Sequence, residues 1–449
     1  MGLKSMFRSL RRTFAIAGIA TVGVTGVATA DDTPSYDDLA RQLKDLQSQV
    51  AEMRQEKDAA WTSQRRNEEM RALVEEALAD AETRTAAQAT AGFGHNGKNF
   101  VLESEDGAYS LRMRGQIQAR YISNNRNASG SDDHEFGMQI RRTRLLFNGH
   151  IGDPKLLYQV YLDFNRNTSA AGRNQTWIAY KFNDMFTLGG GHFKGPLLRE
   201  ELVGSPNQLA VERSLVNEMF TDDHLEGVFL KGNLSDDTRY IVTIHDGQGS
   251  GLPARDFHND ATDFGFTGRV DHKLGGDWKA WKDFTSWEGE PMAIFLGAAI
   301  QSSWAETGEG QANDANPLSW SVDAAYENNG ANAFVAFIGD QPQNSAQEAV
   351  YALVAQGGYN IANTIEPFVR WEHMFGDEAN VGFANKRLDW DIITMGVNYY
   401  LKKHLAKFTV DVMWALNELE AGSSGVGLLT DTPHSRDQLS VRAQFQLMF

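Results

Sequence analysis

The chain of 449 residues contains no cysteine. That excludes a disulfide framework and an anchor built on a lipid-modified cysteine. Proline is scarce, at 10 residues, and both proline and glycine are missing from the whole stretch 35–91. Beyond the first thirty positions no unbroken apolar run approaches the ~18 residues of a membrane-spanning helix. Basic residues are in deficit too, 42 against 59 acidic, for a net charge of −17. Nucleic acid is therefore an unsuitable partner. No pair of metal-ligating side chains sits on one helical face: His245, His258 and His272 are scattered. "GGGHFKG", Gly189 to Gly195, lacks the Gly-Lys-Ser/Thr ending of a phosphate loop and has no following helix. With neither a nucleophile–base pair nor a metal cluster in view, an enzyme is not expected, and neither is a cofactor or metal.

What is present begins with a basic start, Lys4, Arg8, Arg11 and Arg12, then an apolar run from Thr13 to Val27 and a small-x-small site at Ala28-Thr29-Ala30. This pattern predicts a secretory signal over 1–30. Removing its four basic residues leaves 38 basic against 59 acidic, or −21. Across 31–90, Tyr36, Leu39, Leu43, Leu46, Val50, Met53, Lys57 and Ala60 step by three and four in turn. That seam predicts a helical coiled coil. "AGFGHNG", Ala91 to Gly97, breaks the helix and reads as a linker within 91–108.

From about Asn99, within a linker and barrel entry over 91–108, the texture becomes short runs alternating at period two, and the first clear one begins at Tyr109. Between Arg112 and Tyr121, Met113, Gly115, Ile117, Ala119 and Tyr121 share one face, and Arg112, Arg114, Gln116, Gln118 and Arg120 the other. The last run, "QLSVRAQFQLMF", puts Leu439, Val441, Phe445, Leu447 and Phe449 opposite Ser440, Arg442, Gln444 and Gln446. Arg442 then faces a polar interior, where exchange for Gln is tolerated. Sixteen such runs start between Tyr109 and Asp437. Many end in Tyr, Trp or Phe, as an interfacial aromatic girdle requires. An even number of half-apolar strands closes without an edge, so every backbone group is satisfied in lipid. The expected fold is an all-β transmembrane barrel over 109–449, about 16 antiparallel strands, preceded by the coiled coil. In the second strand Arg141 and Arg142 should face opposite sides.

One connection, roughly 194–224, is too long for a hairpin and carries spaced Leu, Val, Met and Phe. Such a loop is usually functional, and its apolar residues need a surface, which in a barrel is the inner wall. Around it, "RMRGQIQARY", "IRRTRLLFNGHI", "YQVYLDF", "GHFKGPLLREEL", "ERSLVNEMF" and "GVFLKG" resemble the successive blocks of the phosphate-selective porins O and P. The resemblance runs from about Ser110 to Gly232. It implies a sixteen-stranded trimeric outer-membrane channel for anions such as phosphate, with this loop folded into the lumen and a ladder of arginines. The aromatic end at Phe449 resembles an outer-membrane assembly signal.

Carried onto this chain, the anion path comprises Arg112, Arg114, Arg120, Arg142 and Arg144, then Lys194, Arg199 and Arg213 near the constriction, and Arg370 further round. The loop also holds Glu200, Glu201, Glu212 and Glu218, a departure from an anion filter. The expected partners are small anions or other small hydrophilic solutes, outer-membrane lipid and two further copies of the chain. An alternative is a structural tether, its coiled coil in the periplasm binding the cell wall.

Overall fold

The computed structural model describes residues 92–97, 99–127, 134–164, 170–246, 264–304, 318–341, 349–375, 389–419, 422–431 and 436–449, and six positions between 41 and 51. The chain divides into two compact units, Met1–Glu82 and Thr83–Phe449. In the first, Arg41, Lys44, Asp45, Gln47, Ser48 and Ala51 are helical and exposed. The seam positions of the expected coil and the expected signal over 1–30 lie outside the described residues.

The second unit starts earlier than its sequence suggests. Within the stretch read as a linker, Gly92–His95 forms a strand, β1, which pairs antiparallel with β2, Phe100–Glu103. Sixteen strands follow. They are β3 Ser110–Asn127, β4 His134–Ile151, β5 Asp153–Phe164, β6 Ala171–Lys181, β7 Thr187–Lys194, β8 His224–Ser235, β9 Thr238–His245 and β10 Phe264–Gly275. The others are β11 Ala293–Trp304, β12 Leu318–Asn328, β13 Ala331–Gln341, β14 Val350–Tyr359, β15 Ile365–Phe375, β16 Trp390–Lys402, β17 Ala406–Ala415 and β18 Arg436–Met448. Each pairs antiparallel with the next, and β18 returns to pair with β3, which closes the sixteen-stranded barrel.

The chain's aromatic end belongs to that seam. Phe449 N donates to the Gly115 carbonyl at 3.1 Å, and Gly115 N donates back at 2.6 Å. A Cβ at Gly115 would lie 2.4 Å from the Phe449 ring, so only glycine leaves the ring room there. Where β18 ends, β2 takes over as the partner of β3 at Ser110 to Met113.

Alternation sets the two faces. On β18, Leu439, Val441, Phe445 and Leu447 point outward and are exposed, while Gln438, Ser440, Arg442, Gln444 and Gln446 are buried inside. β15 repeats the pattern, with Val369, Trp371 and Phe375 outside and Glu366, Arg370 and Glu372 within. No described helix is long and apolar enough to cross a membrane; the strands make the outer apolar face.

The inward face is not the simple polar wall of an open pore. Arg442 is fully buried, donating to Asp411 on β17 at 2.7 and 2.6 Å and to the Val426 carbonyl. This corrects the expected tolerance of Arg442→Gln, because the change strands a buried aspartate. Arg442→Gln should cost about 3–5 kcal/mol, the cost of breaking a buried ion pair. Val441→Arg, on the outward face near mid-strand, should cost about 2–4 kcal/mol. Unfolding midpoints of the detergent-folded barrel measure both. A stable Val441→Arg protein would show that this face does not meet lipid.

Candidate pore and its constriction

Between β7 and β8 the chain leaves the wall, and this loop, 195–223, is built to be held. Gly195 and Pro196 end the strand. A short helix α1, Arg199–Leu202, and a 3-10 turn, Ser205–Asn207, follow. Then comes α2, Leu215–Phe220, capped by Ser214, whose hydroxyl accepts from Asn217 N at 2.8 Å. Its opening amides, Leu215 N and Val216 N, donate to Glu372 of β15 at 2.6 and 3.3 Å. A carboxylate is favoured against the positive end of a helix.

The wall grips the loop's backbone along its length. Lys407 Nζ donates to the Gln208 carbonyl at 2.6 Å, and Asn398 donates to the Leu209 carbonyl at 2.9 Å. Val211 N donates to Asp411 at 2.9 Å. Ser321 Oγ and Arg269 both donate to the Leu197 carbonyl. Arg269 reaches from β10 across β11 to Asp323 on β12, at 2.7 Å, because Gly297 lies between them; a Cβ there would sit 2.2 Å from its guanidinium.

At the centre of the loop is Glu212, 1% exposed. Its carboxylate takes Arg142 at 2.7 Å, Arg141 at 2.8 Å and Arg120 at 3.4 Å. The expectation that Arg141 and Arg142 face opposite sides is corrected. The β3–β4 register slips between Gln118 and Ala119, so β4 carries one extra residue there. A bulge breaks strict alternation, and both arginines reach the same carboxylate.

Apolar packing completes the hold. Leu197, Leu198, Leu215, Val216 and Phe220 of the loop form one core with wall residues of β11 to β17 and with Leu419, Val426 and Leu428. Along β11 to β17 the inside of the barrel is thus filled with protein.

A second insertion comes from the opposite end. The barrel's connections alternate in length. At one end the chain turns tightly, as at Gly152, 236–237, 329–330 and 403–405. The connection 276–292 at that end is the exception. Its Trp278, Trp281, Phe284 and Trp287 recur every third residue, and the last three are buried. Phe284 N donates to the Asn207 carbonyl at 3.2 Å, and Asn207 donates back to the Lys282 carbonyl at 2.8 Å. Arg199 donates to the Trp281 carbonyl at 3.2 Å and lies 5.2 Å from the centroids of Trp281 and Phe295. This aromatic turn therefore meets the inner loop inside the barrel. At its base His404 pairs with Asp283 at 2.8 Å. Burial alone would raise the Asp283 carboxyl, but the His404 charge and hydrogen bond outweigh it and hold the carboxyl below its ordinary value.

Among the described residues a cavity of about 330 Å³ lies between the loop and the β3–β9 wall. Its lining among the described residues includes Arg114, Arg144, Lys194 and Lys231, and no acidic side chain. Arg144 is paired with Asp163 at 2.6 Å, and Lys194 with Glu201 at 3.0 Å.

The expected path residues therefore separate into groups. Arg114, Arg144 and Lys194 line the cavity. Arg112 is exposed near the start of β3. Arg120 and Arg142 are buried on Glu212, and Arg370 is buried against Glu372 at 2.9 Å. Arg213 is folded into the loop's own backbone, donating to the carbonyls of Glu200, Glu201 and Val203. Arg199 is enclosed by aromatic rings. Lys231 was missed, and so was the aromatic turn. Its three-residue Trp/Phe spacing, unsuited to a hairpin, was the available signal. Among the described residues no group of His, Asp and Glu could hold a metal ion.

No curated protein matches the chain in sequence. Among solved structures, the barrel is similar to OmpF of Salmonella typhi in complex with daunomycin, at 15% identity and TM-score 0.54, covering 77% of this chain and 100% of that one. It is similar to OmpT of Vibrio cholerae, at 13% and 0.52, covering 78% and 100%. An anion-selective porin from Comamonas acidovorans matches at 11% and 0.53, covering 76% and 100%. At these identities the likeness is one of fold. The family model of phosphate-selective porin O and P matches residues 111–273. Over that stretch, about a third of its length, the chain is similar to the phosphate-selective porin O and P family, and its closed sixteen-stranded barrel has the fold of solved outer-membrane porins.

Proposed function

We propose that this channel passes small anions in preference to cations, by diffusion through the side of the barrel left open by the inner loop. The observation that carries this is the cavity lining, four cationic side chains and no acidic one. Rings of like charge are how pores favour the opposite ion. The acidic residues of the loop support the reading by where they are spent. Glu200, Glu201 and Glu212 are buried against arginine, lysine or backbone amides, and do not line the cavity. OmpT of Vibrio cholerae, to which the barrel is similar, has been solved in a trimer form, and a homotrimer is the assembly proposed here.

The test is the reversal potential of the folded protein in a planar bilayer under a potassium chloride gradient. Anionic sign is expected. Arg114 and Lys231 hold no ion pair among the described residues, so Arg114→Gln with Lys231→Gln should move the potential toward zero without unfolding the barrel. A cation-selective wild type would overturn the reading.

A further inference from the structure

The cavity is cationic on one side only. Trp177, Phe229, Ile241, Leu202 and Pro206 also line it. We propose that its preferred solute is a small organic anion bearing one aromatic or branched aliphatic group, rather than bare inorganic phosphate. The inference rests on the anion reading above and names the solute class of the same passage.

Lys231 carries the geometry. Its ammonium lies 5.0 Å from the centroid of the Trp177 ring and 4.8 Å from that of Phe229. Those rings meet edge to face at 5.8 Å. A carboxylate drawn to Lys231 therefore brings its substituent against the rings, with Leu202 and Pro206 of the inner loop across the cavity. The space, about 330 Å³, falls at the small end of the roughly 300–1,000 Å³ typical of small-molecule sites.

Inorganic phosphate is poorly served here. It must exchange its water shell for donors, and apart from Arg114 and Lys231 the main donors in this cavity are engaged. Arg144 donates through two nitrogens to Asp163. Lys194 is held by Glu201, through the carboxylate and the backbone carbonyl. Gln159 donates to Gln175 at 3.0 Å, and Tyr161 donates to Gln116 at 3.0 Å. An apolar wall gives a stripped phosphate nothing in return. An organic anion needs only one cation for its charged end and gains from burying the other.

The experiment compares benzoate with inorganic phosphate as blockers of chloride current through single folded channels. Benzoate should reduce the current in a saturable way and at lower concentration than phosphate. Trp177→Ala should weaken the benzoate block about two- to tenfold, the range of one aromatic contact. The wild-type comparison decides the matter even if that variant does not fold. Phosphate blocking as well as or better than benzoate would overturn the solute class while the anion reading stands. A block unchanged by Trp177→Ala in folded channels would also overturn it. A wild-type channel without anionic sign would instead sink the reading beneath it.

Discussion

Glu212→Ala should destabilise the folded barrel by about 3–5 kcal/mol or more, since three guanidinium groups then lose their shared counter-charge in a buried site. Among the described residues Arg142 then keeps Gln118 and Arg120 the Gly425 carbonyl. Arg141 keeps none of its described ion pairs. The same change unfastens the inner loop from the β3–β4 wall. A lower unfolding midpoint in detergent should therefore come with a noisier, larger single-channel current. Glu212→Gln, which keeps hydrogen-bond acceptance but not charge, should show the same signs more weakly. An unchanged midpoint for Glu212→Ala would mean that the apolar packing under the loop holds it unaided.

The second large effect is expected at the aromatic turn. Replacing 277–290 with Asn-Gly should leave β10 and β11 joined by an ordinary tight turn and raise the channel's conductance. The reason is geometric. Trp281 and Phe284 fill space beneath the inner loop, packed with Leu202, Leu209, Phe295 and Phe334. Trp281→Ala alone should cost about 3–5 kcal/mol of packing and raise conductance by less. If the replaced turn conducts like the wild type, the inner loop alone sets the narrowest point.

These two features were not equally visible in the sequence. Inward folding of the loop was expected from its length and its spaced apolar residues, and the glutamates within it were read as a burden on an anion path. In the folded chain Glu212 instead neutralises arginines that the same reading had assigned to the path. Period-two alternation assigns a side chain to the inside of a barrel. It cannot say whether that inside position faces water or a loop folded against it. Arg120, Arg142 and Arg370 face inward as the pattern requires, yet none is open to a solute.

Alternation also fails at a bulge. One extra residue at Arg141 turns two adjacent arginines to the same side, and nothing in "IRRTRLLFNGHI" marks it. The outer face was the easier half to read. Leu439, Val441, Phe445 and Leu447 are outside because an outward apolar stripe needs no partner within the chain, only the right parity.

By itself, the sequence determined the barrel. The lack of any spanning helix, the even number of half-apolar strands and the terminal strand required closure, because backbone groups in lipid must all be paired. Away from the β4 bulge it also determined which face of a strand is the outer apolar one, since parity is local. Only the tertiary structure decided which inward cations are spent on holding the loop and which remain on the open side. That depends on contacts between residues far apart in the chain, such as Lys407 with Gln208 and Arg120 with Gly425, and no local pattern encodes them.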